Sequence, residues 1–352
     1  MGQIKVAFLY PSRKGGGDLY ALHMARILAK ENSIQTHLFL SANMHHLNEF
    51  TLPNVPRTTV RTIGSYLDLL TLPFSILSLI LKIRSFRPDI IYAPMFSPFI
   101  LPVFLFTGSV RKICTVHGYY SRKSFKEHII SYIQTAIVRL STEIIVLSKY
   151  YEQEILKNSP SKKVHLIPHP NLDYYKSIKP SEPPFEKDYI LFIGRISEEY
   201  KGGEVMLQAF KLTKQKLPSL KLVIAGRGAS KYAEEGVIAH DKWLEDADFA
   251  ALIKSAKVIC VPYTMPTPSG VVSAAFSLSK PVIASNIPGL NEQVEDSVTG
   301  LLFQPNNPVE LSEKILELYS DEKLYSKLVS SCSKSNINAE VEKKFINIFL
   351  GQ

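Results

Sequence analysis

Ile190-Leu-Phe-Ile-Gly-Arg-Ile-Ser-Glu-Glu-Tyr-Lys-Gly-Gly203 decides how the rest of the chain is read. Its four leading apolar residues predict a short buried strand. Gly194 breaks that strand and leaves Arg195 at its carboxyl end, and residues 204–210 follow with a helical pattern at Val205, Leu207, Ala209 and Phe210. In an open α/β sheet, ligands gather just past the carboxyl ends of strands. Arg195 and Lys201, six residues apart on one such loop, can both reach a diphosphate, the guanidinium as a fixed fork of donors and the ammonium as a point charge. A solvated basic surface loop is the alternative, and spacing alone does not separate the two.

Outward from this stretch, the second half alternates strand and helix. Strands are expected at 190–193, 220–225, 237–239, 258–261, 281–284 and 300–303, with helices between them, notably 247–257 and 309–320. The first half repeats the scheme, with strands at 4–9, 36–40, 58–63, 90–92, 112–116, 143–147 and 164–167 and helices at 19–30 and 123–140. Such alternation implies parallel sheets with helices on both faces. At 352 residues two domains are expected. The fold class is therefore α/β, as two doubly wound Rossmann-like domains facing across a cleft, residues 1–172 and 189–337. The proline-rich, charged stretch 173–188 reads as the linker. Residues 338–349 form a helical pattern after a polar break at 330–336.

Apolar residues make up 45% of the chain, which excludes a disordered protein. Cys114, Cys260 and Cys332 are far apart and follow no metal-ligand spacing. So sparse a count argues for a reducing compartment, and the N-terminus runs into a strand without a signal-peptide layout. A cytoplasmic location is expected. The net charge of +9 is one-sided: residues 1–175 hold 20 Lys+Arg against 10 Asp+Glu, and residues 176–352 hold 21 against 22. A basic first half calls for an anionic partner.

Residues 66–83 approach the length of a membrane span, but Asp68, Pro73 and serines interrupt them, and Arg84, Arg87 and Asp89 close them onto a strand. Pro94, Pro98 and Pro102 break the apolar run 93–106. Packed or interfacial helices are expected. Basic residues beside two very apolar segments suit a protein lying at the inner face of the plasma membrane, and ordinary α/β core is the alternative. Between the first strand and helix stands Gly15-Gly16-Gly17, whose amides can approach a phosphate at a helix start; a plain flexible turn is the other reading, and the dinucleotide spacing fails. His117-Gly118 ends the 112–116 strand where ligands bind, or is structural.

Taken together these segments resemble the retaining glycosyltransferases of family 4, which have the GT-B fold. The resemblance runs through the glycine loop, Val116-His117-Gly118, Val146-Leu147-Ser148, Ile167-Pro168-His169-Pro170-Asn171, Gly194-Arg195-Ile196 with Lys201-Gly202, and Val223-Ile224-Ala225-Gly226-Arg227-Gly228. Its most specific part is Ser269-Gly270-Val271-Val272, Lys280-Pro281-Val282-Ile283-Ala284-Ser285 and Pro288-Gly289-Leu290-Asn291-Glu292.

The resemblance implies roles for individual residues. Arg195 and Lys201 match the pair that holds the donor diphosphate and stabilises its departure. Gly16 and Gly17 match the loop near donor phosphate and acceptor, and His117 a residue near the transferred sugar. Gly194 and Gly226 are expected among the residues that bind the nucleotide sugar. Trp243 and Leu244 fall where the family grips the nucleobase, with rim packing as the alternative for Trp243. The turn Ser269, Gly270, Val271, Val272 offers amides to phosphate or sugar hydroxyls. Glu292 lies in the region lining the sugar and ribose, or caps a helix. The C-terminal helix, 338–352, is expected to join the first domain. One departure stands out. The family's two glutamates, seven residues apart, are replaced here by Ala274 and by Pro266 or Thr267.

The reaction implied is retaining transfer of a sugar from a UDP- or GDP-type nucleotide sugar to a hydroxyl acceptor, a lipid-linked or cell-envelope glycan, held by the basic first domain on an anionic membrane surface. No cofactor is expected. No metal-ligand cluster is visible, so metal independence is expected, the two cations neutralising the leaving group. A binding subunit that has lost turnover and a nucleotide-sugar epimerase are the competing classes. Nucleic acid is not an expected partner, since no aromatic–basic recognition motif appears.

Overall fold

The computed structural model describes residues 2–12, 17–62, 67–118, 125–182, 186–334 and 336–352. Gly15 and Gly16, the start of the helix expected at 123–140, and residues 183–185 of the expected linker lie outside them. Two compact units result: residues 1–168 with 338–352, and residues 169–337.

The described residues of the first unit form a parallel sheet of seven strands: β1 (Ile4–Tyr10), β2 (Ile34–Ser41), β3 (Arg57–Val60), β4 (Ile90–Ala93), β5 (Arg111–Val116), β6 (Glu143–Val146) and β7 (Lys163–Leu166). Their spatial order is β3-β2-β1-β4-β5-β6-β7. The chain runs outward from β1 one way, then crosses back beside β1 and runs the other way. That reversal creates a switch point between β1 and β4, where a crevice opens past the strand ends. The strands are apolar on both sides because helices cover both faces. On one face, Leu79, Ile80, Ile83, Ile100, Val103, Phe104, Ile137 and Val138 pack onto Ala7, Leu9, Ile91 and Cys114.

In the second unit, β8 (Ile190–Ile193), β9 (Leu222–Ala225), β10 (Val237–His240), β11 (Val258–Val261), β12 (Val282–Ser285) and β13 (Gly300–Phe303) take the order β10-β9-β8-β11-β12-β13. All pairings are parallel, and the switch point falls between β8 and β11. Residues 173–182 pack on this unit. The Tyr174 hydroxyl donates to Asp246 (2.8 Å), the Ser181 hydroxyl donates to Asp248 (2.7 Å), and Tyr175 stacks on Phe249 at 5.0 Å. The polar stretch expected to break the chain at 330–336 is in large part helix, Glu322–Lys334, which buries only Leu328 and Cys332. A helix meeting the core along so narrow a stripe is mostly polar, and in sequence it resembles a loop.

The last helix, Ile337–Leu350, belongs to the first unit. Phe345 and Phe349 meet Tyr92 of β4 edge-on, at 5.2 and 5.4 Å. The Arg111 guanidinium donates to the carbonyls of Ile348 (2.6 Å) and Phe349 (3.4 Å), and its Nε donates to Glu143. Glu143 also lies 2.6 Å from His165 and 3.2 Å from Lys163. Burial raises the Glu143 pKa, but hydrogen bonds from Arg111 and then His165 outweigh it and hold the carboxyl at about 2. The pKa in the fold is below the ordinary 4.5, so the unfolded chain binds the proton more tightly and Glu143 stabilises the fold above that value. We expect the unfolding free energy to fall as pH drops from about 4.5 toward 2, and Glu143→Gln to flatten that dependence in urea titrations.

Candidate functional site

Past the end of β8, Gly194 takes φ 134° and Gly226, past β9, takes φ 124°. A Cβ on Gly226 would stand 1.9 Å from the Gly194 carbonyl oxygen, so only glycine lets the two loops touch backbone to backbone. Gly194 N–H donates to Ala225 O (3.0 Å) and Ser197 N–H to Arg227 O (2.9 Å). On the other side, Gly202 (φ 74°) presses against the loop after β11: a Cβ there would meet the Pro262 carbonyl at 1.8 Å. The 194–203 loop is thus clasped across the switch point.

This clasp sets Lys201. Its ammonium sits 3.7 Å over the Tyr263 ring and 5.0 Å from that of Tyr200. Among the described residues no carboxylate lies within ion-pair distance of it. Burial pushes its pKa down from 10.5 to about 8, with Tyr200 pulling upward and Arg195 adding to the fall. Arg195 is the outer cation, with its side chain 69% exposed, reaching Glu198 at 3.6 Å and the Tyr200 hydroxyl at 3.5 Å.

Tyr263 links this loop to the next element. Its hydroxyl lies 3.0 Å from the Ser269 hydroxyl, and Ser269 begins the helix Gly270–Ser277. Ser269 makes no side-chain cap to that helix, and the first-turn amides of Gly270, Val271 and Val272 carry the partial positive charge of a helix start. Val271 packs toward Gly194, whose added Cβ would lie 3.7 Å from it. The Gln293 carboxamide holds the turn: it accepts from Ser269 N–H (2.6 Å) and donates to Ser269 O and the Ser273 hydroxyl (both 3.2 Å). Ser273 lies 2.7 Å from His169 Nδ1. Burial takes the His169 pKa to about 4, against the pull of the Pro170 carbonyl, so this ring is neutral at pH 7. Ala274 is fully buried, and Pro266 and Thr267 are half-buried.

Trp243 and Leu244 are half-buried in the loop after β10. The Arg227 guanidinium lies 5.2 Å over the Trp243 ring, tying this indole to the Gly226–Gly228 turn. Asp241 accepts from the amides of Gly228 (2.9 Å) and Ser230 (3.0 Å) and fixes the same turn. Glu292, beside Gln293, is exposed. The switch point of the second unit therefore gathers Arg195, Lys201, Gly194, Gly226, Ser269, Gly270, Val271 and Val272.

His117 and Gly17 belong to the first unit, at its own switch point. His117 Nε2 donates to the Pro94 carbonyl (2.9 Å) just past β4, and its ring meets Tyr20 edge-on at 4.5 Å. A Cβ on Gly17 would stand 2.4 Å from the Met95 methyl. Asp18, fully buried in the first turn of the helix Gly17–Lys30, accepts from the Tyr10 hydroxyl and lies 3.2 Å from His46. The sequence assigns no role to Asp18, Tyr263 or Gln293, nor to Arg227 beyond its place in the Val223–Gly228 segment. For Asp18 a signal existed, a carboxylate at a helix start. The other three act through contacts far apart in sequence.

A sequence model of "Glycosyltransferase Family 4" matches residues 14–170, and one of "Glycosyl transferases group 1" matches residues 175–334. The chain belongs to the group 1, family 4 glycosyltransferases. Among curated relatives it is similar to an uncharacterised glycosyltransferase of Methanocaldococcus jannaschii, 29% identical over 52% of this chain and 51% of the relative. It is similar also to phosphatidyl-myo-inositol mannosyltransferase of Mycobacterium leprae, 28% identical over 40% of each chain. These matches span about half the length of the relatives or less. Among solved structures, HepE of Anabaena in complex with UDP-glucose superposes with a TM-score of 0.75 over 99% of this chain and 100% of that one, at 17% identity. That likeness shows the fold, GT-B.

The clasp around Lys201 makes a stability prediction. Gly108 has φ 65° with open space around it, and Gly202 has φ 74° with the Pro262 carbonyl in the way. We expect Gly108→Ala to cost about 1–2 kcal/mol, the left-handed penalty alone, and Gly202→Ala to cost clearly more in denaturant unfolding.

Proposed function

We propose that this family 4 chain transfers a sugar, with retention, from a nucleoside-diphosphate sugar of the UDP or GDP type to a hydroxyl acceptor. The observation that carries the reading is the Lys201 ammonium, set on aromatic faces with no carboxylate within ion-pair distance among the described residues, on the same loop as Arg195. A cation held this way is short of anionic partners, and a diphosphate supplies them. The first-turn amides of Gly270–Val272, on the other side of Gly194, suit the same ligand. Gly194 and Gly226 keep the floor free of side chains, and Trp243 with Leu244 offers an apolar surface to the base. Glu292, exposed beside the turn, is proposed for the sugar or ribose hydroxyls.

In this mechanism the C1–phosphate bond breaks first, and charge grows on the leaving diphosphate. Arg195 and Lys201 stabilise that charge, which lowers the barrier selectively in the transition state. The acceptor hydroxyl then attacks from the same face, and the departing phosphate oxygen takes its proton. With Ala274, and Pro266 or Thr267, at the places of the family's glutamates, positioning rests on backbone amides. The acceptor, a lipid-linked or cell-envelope glycan, is assigned to the first unit; by the resemblance, the glycine loop with Gly16 and Gly17 serves donor phosphate and acceptor, and His117 the transferred sugar. A subunit that binds the nucleotide sugar without turnover is a second reading, favoured by the absence of those two glutamates. Release of UDP or GDP with and without acceptor separates it from an enzyme.

Two measurements test the diphosphate site. By thermal shift and calorimetry with UDP and GDP, Lys201→Ala is expected to weaken binding of the preferred nucleotide by about 10–100-fold, as for loss of a charged hydrogen-bonding partner. Arg195→Ala, at the more exposed cation, is expected to weaken it less. If neither change matters, the site is wrong. The second readout is pH. The depressed Lys201 pKa means that part of the free protein lacks the ammonium near pH 8, and a bound anion restores it. Binding should therefore take up a proton and weaken as pH rises through about 8, and Lys201→Arg should remove that decline.

A further inference from the structure

Ten large apolar side chains stand exposed among the described residues, and seven of them lie on three helices of the first unit. Phe74, Leu77 and Leu81 form the outward stripe of Leu67–Phe86; Leu105 and Phe106 end Ile100–Phe106; Ile129 and Tyr132 lie on Phe125–Leu140. Phe74 is 74% exposed and Tyr132 68%. The three helices are neighbours. Ile100–Phe106 packs against both of the others, and all three share one core layer on the same face of the sheet. Right-handed crossovers place them there together. Their inward stripes, such as Leu79, Ile80 and Ile83, are spent on the sheet. The outward residues therefore contribute nothing to that core, and a patch of this kind marks an interaction surface.

Charge identifies the partner. Residues 67–140 carry nine Lys+Arg against three Asp+Glu. Lys82, Arg84 and Arg87, at and just past the end of the first helix, and Arg139, near the end of the third, are exposed. None of these four makes an ion pair among the described residues. An apolar outward face with unpaired cations at its margin suits an anionic lipid leaflet: acyl chains take the Phe and Leu side chains, headgroups take the cations, and aromatic rings sit at the boundary. No helix among the described residues is long and apolar enough to cross a membrane, so these lie on the surface.

We propose that the outer face of helices Leu67–Phe86, Ile100–Phe106 and Phe125–Leu140 docks the first unit onto an anionic membrane surface. The proposal goes beyond the transfer reaction and does not rest on it. The test is co-sedimentation of the full chain, without nucleotide, with vesicles of phosphatidylcholine alone and of phosphatidylcholine mixed with phosphatidylglycerol. The chain is expected to pellet with the anionic vesicles and to remain in solution with the neutral ones. Phe74→Ser with Leu81→Ser should weaken partitioning by about tenfold or more. Lys82→Gln with Arg84→Gln should weaken it and reduce its salt dependence. Thermal stabilisation by UDP or GDP, read on the same preparations, should match the unchanged chain in both variants. The proposal is overturned if the chain ignores anionic vesicles, or if both variants bind them as well as the original. It is equally overturned if the apolar variant converts a soluble dimer to a monomer while vesicle binding persists.

Discussion

An ammonium resting on two tyrosine rings, with burial pushing it toward its neutral form, is the interaction on which the reading of this molecule depends. Lys201 is placed by backbone geometry, through the left-handed Gly202 behind it and the Pro262 carbonyl that leaves no room for a side chain there. Tyr263 serves two neighbours at once, presenting its face to the ammonium and its hydroxyl to Ser269. The cation and the helix start are therefore held by one aromatic side chain. Aromatic faces attract a cation without neutralising it, so the local potential stays positive where a carboxylate would have cancelled it.

Much of this was legible in the chain itself. Alternating short apolar runs and helical patterns give two parallel sheets, because a strand buried on both faces has to be apolar throughout. Arg195 and Lys201 could be singled out because a single loop carries both. What could not be read depends on contacts distant in sequence. Gln293 braces Ser269 from 24 residues away, and His169 reaches Ser273 across 104. Neither pairing leaves a periodic trace. The helix Glu322–Lys334 resembled a break because it buries so little, and residues 173–182 resembled a tether because their anchors, Asp246 and Asp248, lie some 70 positions onward.

Neither Ala274 nor Pro266 or Thr267, the residues that the resemblance sets at the family's glutamates, brings a carboxylate to the Ser269 turn. Ala274 is sealed inside the unit, so a carboxylate there would have to be buried and would need partners. In its stead the turn is organised by neutral groups: the Gln293 carboxamide, two serine hydroxyls, and an imidazole that burial keeps uncharged. Such a network has directional hydrogen bonds but no net charge. It adds no negative charge to the start of the Gly270–Ser277 helix, whose dipole is positive there.

The closing of the first sheet by Arg111 has a consequence for biosynthesis. The guanidinium that grips Glu143 also holds the carbonyls of Ile348 and Phe349, residues translated more than 200 codons later. The first unit therefore lacks one of its helices until the whole of the second unit, residues 169–337, has been synthesised. The carboxy-terminal unit, by contrast, is one uninterrupted segment, 169–337, with all its parts present earlier. Vectorial synthesis, which usually lets the leading domain mature first, is here expected to leave that domain waiting for the helix that follows the second unit, with Tyr92 uncovered in the interval.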